Sequence, residues 1–143
     1  MRRPSGQFPA RGAAAKGRRD VELEKLWRGG ACESDLPRLL EALRCGDDWA
    51  RYYACRALED VAGSIGPVIG RLAEAFRRER NARLRRELVG LVARPLRIPD
   101  ALTAESCYAA LELLTLACED RSPLVRTAAF AQLENLPMLV QAA

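Results

Sequence analysis

The sequence predicts an all-α protein built as a short solenoid of about three helical hairpins. Three observations support this fold. Apolar residues recur with helical spacing, no segment alternates in the manner of a strand, and one pattern returns at intervals of 34 and 41 residues. The length of 143 residues and the hydrophobic content of 49% suit one compact domain. We therefore expect a single folded body.

Apolar spacing and end signals place the helices along the chain. The spacing of three and four residues that marks a helical face is found in Leu36, Leu39, Leu40 and Leu43. The residues that suit N-cap positions are Ser34, Ser64, Thr103 and Ser122. The predicted helices span 20–28, 35–44, 48–62, 65–79, 82–93, 103–119, 123–135 and 137–142.

The start of the chain differs in composition from the rest. Residues 1–20 contain six basic residues and one acidic residue, whereas the other 123 residues contain 17 basic and 18 acidic ones. Because residues 1–19 have almost no large apolar side chains beyond Phe8, they cannot bury enough surface to offset the entropy of ordering. The sequence predicts a disordered basic tail over 1–19 and a folded domain over 20–143. A transit peptide is the alternative, although the segment has no amphipathic apolar stripe.

Several kinds of chemistry are excluded by composition. The chain has no histidine, which removes imidazole bases and mixed Cys/His zinc sites. Its five cysteines form no Cys-x-x-Cys motif, and it has no glycine-rich phosphate loop. No stretch approaches the length of a membrane span. We expect a cytoplasmic protein that is not an enzyme, binds no metal or cofactor and does not enter a membrane.

One pattern occurs three times in the chain. Each copy starts at a residue suited to capping, either Asp47, Asn81 or Ser122, and has an arginine four residues later. An apolar residue precedes that arginine, and others follow it by three and seven positions. The three arginines are Arg51, Arg85 and Arg126. This register predicts which face of each helix enters the core.

The pattern resembles HEAT repeats, including the HEAT-like repeats of phycobilisome lyases. Their second helix carries Asp-x-x-Val-Arg-x-x-Ala-x-x-Ala-Leu, which is best matched by Val125-Arg126-x-x-Ala129 and Arg51-x-x-Ala54-x-x-Ala57-Leu58. The resemblance covers about residues 34–136. It implies a short right-handed α–α solenoid of about three HEAT-like helical hairpins that binds another macromolecule. It also implies a structural role for the three arginines, at acidic or carbonyl groups of the neighbouring turn.

In arrays of this kind the second helices line a concave wall, which suggests where a partner binds. The predicted partner-binding residues are Trp49, Tyr52, Arg56, Arg83 and Arg86, and the predicted contacts to phosphate or to an acidic partner are Arg77, Arg78 and Arg80. Two alternatives stay open. The arginines can form a solvated face balanced by nearby glutamates, and the aromatic residues can cover the seam with the first helix.

Two apolar segments point to further contacts. The stretch from Cys107 to Cys118 has one charged residue in twelve, so we expect it to be covered on most sides. The chain ends on an apolar segment, where a terminal repeat usually has a polar face. That end is a candidate contact for a partner or for a second copy of the chain. The alternative is that residues 138–142 fold back over the last hairpin.

The first functional hypothesis is a non-enzymatic adaptor that binds another protein, with an acidic partner as one option, through the wall of second helices. The alternative from the nucleic-acid class is that the tail and the arginines of residues 77–86 bind a phosphate backbone. A third hypothesis is a HEAT-like chromophore lyase or assembly chaperone.

Deleting residues 1–19 should leave the melting temperature within about one degree, because a disordered tail contributes little to stability. Thermal unfolding followed by circular dichroism at 222 nm checks this expectation. A large drop in the melting temperature would show that the tail packs on the folded body.

Overall fold

The fold of the chain is all-helical, as the computed structural model describes it over residues 21–98 and 100–136. No residue in these two ranges lies in a strand. The chain divides into two compact units, residues 1–61 and 62–143. The prediction of an all-α fold is confirmed. The predicted tail over 1–19 and the predicted helix over 137–142 lie outside the described ranges.

The first unit, within its described residues, contains three α-helices: α1 Val21–Gly29, α2 Leu36–Cys45 and α3 Asp48–Leu58. A 3-10 turn, Glu33–Asp35, precedes α2. Both α1 and α2 pack on α3, so that α3 is covered on two sides. The core of this unit therefore centres on α3, where Tyr53, Ala54 and Leu58 are fully buried.

The turn between α2 and α3 is tightly closed. A Cβ atom at Gly46 would lie 2.5 Å from the carbonyl oxygen of Ala42 and 2.6 Å from the Cβ of Ala50, so only glycine fits there. Asp47 caps α3, because its carboxylate accepts a hydrogen bond of 2.8 Å from the amide of Ala50. The repeated cap residue thus has the expected role in this first copy of the pattern.

The second unit contains four α-helices within its described residues: α4 Ile69–Arg78, α5 Ala82–Ala93, α6 Ala104–Ala117 and α7 Pro123–Glu134. The 3-10 turns Gly66–Val68 and Arg94–Arg97 precede α4 and follow α5. Helix α4 contacts α6, and α5 contacts α7 most extensively. The unit therefore consists of two hairpins, α4–α5 and α6–α7. The first helices of the two hairpins contact each other, and so do the second helices.

The observed helix ends differ from the predicted ones between the two units. Helix α3 stops at Leu58 and α4 starts only at Ile69, with 3-10 turns between them in place of the predicted helical residues. The backbone of Val61 leaves the helical region, and Pro67 has no amide to donate. Ser64 is therefore not the N-cap of α4, and Val68 holds that position. Ser34 is not the N-cap of α2, because it lies inside the 3-10 turn Glu33–Asp35 and Asp35 holds the cap position.

The repeated pattern predicts the core face of the second helices correctly. Buried residues occupy the positions before the arginine and three and seven after it in α3 and α5, and the first two of these positions in α7. The register places the positions two before the arginine and one, five and eight after it on the side away from the core. Tyr52 and Ala93 occupy such positions and are corrections, because both are buried. Tyr52 is covered because α1 packs on α3, and Ala93 is covered where the turn Arg94–Arg97 lies against α5.

Helix α6 is covered on most sides and leaves one side exposed. Although it contacts α4, α5 and α7, the side chains of Tyr108 and Leu116 are 63% and 43% exposed. Four of the twelve residues from Cys107 to Cys118 are exposed, so this helix is covered on most sides, as expected. The exposed side of α6 is mixed in character, since Glu112 lies between Tyr108 and Leu116 on it.

The N-caps of α6 and α7 should differ in their contribution to stability. Thr103 accepts a hydrogen bond of 3.1 Å from the amide of Ser106, whereas the Ser122 side chain makes no capping bond. Thr103→Ala should lower the free energy of unfolding by about 1 kcal/mol. The matched control Ser122→Ala should change it by less than about 0.5 kcal/mol. Urea denaturation measures both, and equal losses would contradict the assignment.

Candidate basic interaction surface

The arginines predicted as contacts lie around one turn of the second unit, between α4 and α5. Arg77 and Arg78 end α4, Arg80 lies in the turn, and Arg83 and Arg86 lie at the start of α5. All five side chains are exposed. We call these five residues the basic turn surface.

Carboxylates balance this surface only in part. Arg78 lies 3.6 Å from Glu74, and Arg86 lies 3.8 Å from Glu87. Pairs as long and as exposed as these contribute little to stability and leave the cations accessible. Within the described residues, Arg77, Arg80 and Arg83 make no salt bridge. The alternative that glutamates balance the arginines therefore applies to Arg78 and Arg86, two of the five.

The sixth arginine of this region has an internal role. Arg85 is 4% exposed, and its Nε and Nη2 atoms donate to the two carboxylate oxygens of Asp120 at 2.9 and 3.0 Å. Its Nη1 atom donates to the carbonyl oxygens of Glu79 and Arg80, both at 3.0 Å. This one guanidinium therefore joins α5 to the turn before it and to the turn before α7.

The same turn is held by further hydrogen bonds. The Asn81 side chain caps α5 by accepting from the amide of Arg83 at 2.9 Å. The amide of Asn81 donates to the Glu79 carboxylate at 3.0 Å. Because both the backbone carbonyls and the amides of the turn are engaged, the exposed arginines start from a fixed backbone.

Arg51 and Arg126 repeat part of this arrangement at their own turns. Arg51 donates to the carbonyl oxygen of Gly46 at 2.7 Å and pairs with Asp48. Arg126 donates to the carbonyl oxygen of Asp120, also at 2.7 Å. All three repeated arginines thus contact the carbonyl or acidic groups that the resemblance implies. The partner of Arg85, 35 residues further along the chain, could not be identified from spacing.

The other predicted site residues belong to the first unit. Tyr52 is buried, with its ring centroid 6.2 Å from that of Trp27. Trp49 is half-buried and stacks on Tyr53 at 5.5 Å. Arg56 lies over the Trp27 ring at 5.8 Å and 3.6 Å from Glu59. The geometry supports the alternative that these aromatic residues cover the seam with the first helix.

A surface cavity of about 280 Å³ adjoins the basic turn surface. Its charged lining residues are Arg77, Glu79, Arg85, Glu119, Asp120 and Arg121, three of each sign. Because the guanidinium of Arg85 is already bonded to Asp120 and to two carbonyls, this lining does not form a strong anion site. The cavity gives no reason to assign a small ligand.

The cysteines and acidic residues form no cluster of metal ligands in the described part of the chain. No group of three His, Cys, Asp or Glu residues there could hold a metal ion. Burial and the nearby Glu119 raise the pKa of Cys118, which favours the unreactive thiol. Cys55 is buried in the core of the first unit. None of the described helices is long and apolar enough to cross a membrane.

Arg85→Leu should lower the free energy of unfolding by about 3 kcal/mol or more, because it leaves the Asp120 carboxylate without its partner in a poorly solvated position. The matched control is Arg83→Leu, two residues away and exposed, which should change stability by less than about 0.5 kcal/mol. Chemical denaturation measures both variants. Similar losses would show that the Arg85 contacts contribute little.

The Asp120 carboxyl should make stability depend on acid pH. Burial raises the pKa of this carboxyl. The hydrogen bonds from Arg85 and from the Ser122 amide, together with the charges of Arg85 and Arg121, outweigh burial and hold the pKa below its ordinary value of 3.8. A pKa lowered in the folded state stabilises the protein above the unfolded-state value of about 3.9, and this contribution is lost as pH falls through the folded-state pKa.

Asp120→Asn should therefore be less stable than the unchanged chain at pH 6, and the difference should shrink below about pH 4. Urea denaturation at pH 6, 4 and 3 measures the difference, with Glu119→Gln as the exposed control. A difference that stays constant with pH would contradict this role of the Asp120 carboxylate.

Comparison with known proteins gives no relative: the chain matches no protein-family model, no curated protein and no solved structure. The likeness to HEAT repeats therefore remains a prediction from the sequence pattern.

Proposed function

We propose that this protein is a non-enzymatic interaction module that binds an acidic segment of another protein through the basic turn surface. The observation that carries the proposal is that five exposed arginines surround a turn whose backbone is held by Arg85. A guanidinium binds a carboxylate through two parallel hydrogen bonds, and a fixed backbone lowers the entropy lost on binding.

The amino end of α5, where Arg83 lies, also favours an anionic ligand. The first turn of α5 contains no acidic residue that would offset the charge of this helix end. The amino end of a helix carries partial positive charge, so Arg83 in the first turn adds a cation where it is unfavourable. An acidic segment bound at this end offsets both charges at once.

For the fold, we propose a short right-handed solenoid of about three HEAT-like helical hairpins. The support is that Asp47 and Asn81 both cap their helices and that all three repeated arginines donate to a carbonyl of the preceding turn. Within the second unit, the contacts of α4 with α6 and of α5 with α7 are those of stacked hairpins.

The wall of second helices contributes unequally to the proposed site. Tyr52 and Arg56 contact Trp27, so the core of the first unit already uses them. Arg83 and Arg86 are exposed and lie beside Arg77 and Arg80 in sequence. The proposal therefore rests on the arginines of the second unit, with Trp49, Tyr52 and Arg56 as packing residues.

Nucleic acid is the second candidate ligand, because Arg77, Arg80 and Arg83 make no salt bridge within the described residues and the first 20 residues add six basic side chains. Salt separates the two candidates, since binding to a phosphate backbone weakens steeply with added salt through counterion release. Fluorescence anisotropy with a labelled DNA duplex between 50 and 300 mM KCl measures this dependence.

The test of the proposed function is affinity capture from extract of the source cells, with and without nuclease treatment, followed by quantitative mass spectrometry. Arg83→Glu with Arg86→Glu should reduce capture of an acidic partner at least tenfold without unfolding the chain. The matched control is Arg38→Glu with Arg97→Glu, which changes the net charge equally at exposed positions of other elements. That control should retain the partner.

Three outcomes would contradict the proposal. A partner that both double variants retain equally would place the site elsewhere on the chain. Capture that disappears after nuclease treatment, together with duplex binding at low salt, would support the nucleic-acid candidate instead. A protein captured through these arginines that offers no acidic segment would refute the stated chemistry.

A further inference from the structure

Helix α7 carries three residues, Arg126, Phe130 and Glu134, spaced four apart along one side of the helix, which we call the α7 stripe. Phe130 is 54% exposed, Glu134 is exposed and Arg126 is half-buried. A single exposed apolar residue is common on protein surfaces. The position of Phe130 in the repeated pattern and the charges on either side of it indicate that this residue belongs to a packing surface.

The repeat register compares α7 directly with α5. When Arg85 is aligned with Arg126, Phe130 takes the position that Val89 holds in α5. Val89 is completely buried, and the most extensive contact of α5 is with α7. A position that is covered in α5 thus carries a large exposed aromatic ring in α7. The α7 stripe therefore has the character of a packing surface.

The charges of the stripe match those of a second copy. Arg126 and Glu134 lie on opposite sides of Phe130, each about 6 Å away along the helix axis. If two α7 helices cross in antiparallel orientation at Phe130, Arg126 of each copy meets Glu134 of the other. Such an isologous contact repeats every interaction twice and closes after two copies.

The guanidinium of Arg126 and the carboxylate of Glu134 can each accept a further partner in this contact. Arg126 donates through Nη1 to the carbonyl oxygen of Asp120, and its guanidinium has further N–H groups available for a carboxylate. Glu134 makes no salt bridge with any residue in the part of the chain that the structure describes. A partner of either charge alone would leave one end of the stripe unmatched.

We propose that the chain forms an antiparallel dimer through the α7 stripe, with Phe130 packed on Phe130 and Arg126 paired with Glu134 at both ends. A contact centred on two helices of 12 residues lies at the small end of protein interfaces. The dimer is therefore weak and reversible, and the fraction of dimer rises with protein concentration. This proposal is independent of the ligand of the basic turn surface.

Sedimentation velocity of the full chain between 5 and 500 µM tests the proposal. The unchanged chain should shift from monomer to dimer with concentration. Phe130→Asp should weaken dimerisation at least tenfold. The matched control Tyr108→Asp changes the one aromatic residue of α6, which is 63% exposed, and should leave the dimer unchanged. Circular dichroism confirms that both variants fold.

The charge pairing has its own test. Glu134→Arg and Arg126→Glu should each give a monomer, because like charges then face each other at both ends. An equimolar mixture of the two variants should recover a heterodimer, because every pair is again of opposite charge. If Arg126→Glu fails to fold through loss of its bond to Asp120, Glu134→Arg alone must still be monomeric.

The contradicting results are equally specific. A chain that stays monomeric at 500 µM overturns the proposal and leaves the stripe to residues 137–143 or to another protein. A dimer that survives Phe130→Asp, or that Tyr108→Asp disrupts to the same extent, places the interface elsewhere. A dimer that Glu134→Arg leaves intact refutes the antiparallel register.

Discussion

The arrangement of the second unit depends on the contacts of one buried guanidinium. Arg85 holds both carboxylate oxygens of Asp120 and two carbonyl oxygens of its own turn while it is 4% exposed. A charge in such a position is tolerated only when its donors are met by fixed acceptors. The pairing of the two hairpins and the shape of the turn between α4 and α5 are therefore set by the same side chain.

This constraint connects packing to the proposed function. Because Arg85 occupies the carbonyls of Glu79 and Arg80, the side chains of Arg77, Arg80 and Arg83 project from a turn that is fixed before any ligand binds. The equivalent Arg126 contacts the carbonyl of Asp120 but has no later hairpin within the described residues. At the same position of the repeat, Arg85 in α5 thus completes a contact between two hairpins, whereas Arg126 in α7 lies beside an exposed helix face.

The sequence allowed the prediction of the helices and of the core face of the second helices, because these follow from spacing within one helix. The local contacts of Arg51, Arg85 and Arg126 were implied by the resemblance to HEAT repeats. The sequence did not show how many neighbours each helix has. Tyr52 is buried because α1 covers a second side of α3, and Tyr108 is exposed because three neighbours do not enclose α6. The pairing with Asp120 spans 35 residues, a separation that no local pattern encodes.

The most direct test of the account is a double-mutant cycle on the free energy of unfolding, with Arg85→Leu, Asp120→Leu and both changes together. If the two side chains act as one buried unit, each single change should be strongly destabilising, and the double variant should recover about 2 kcal/mol or more relative to the sum. Losses that add to within about 0.5 kcal/mol would contradict the central role of this pair.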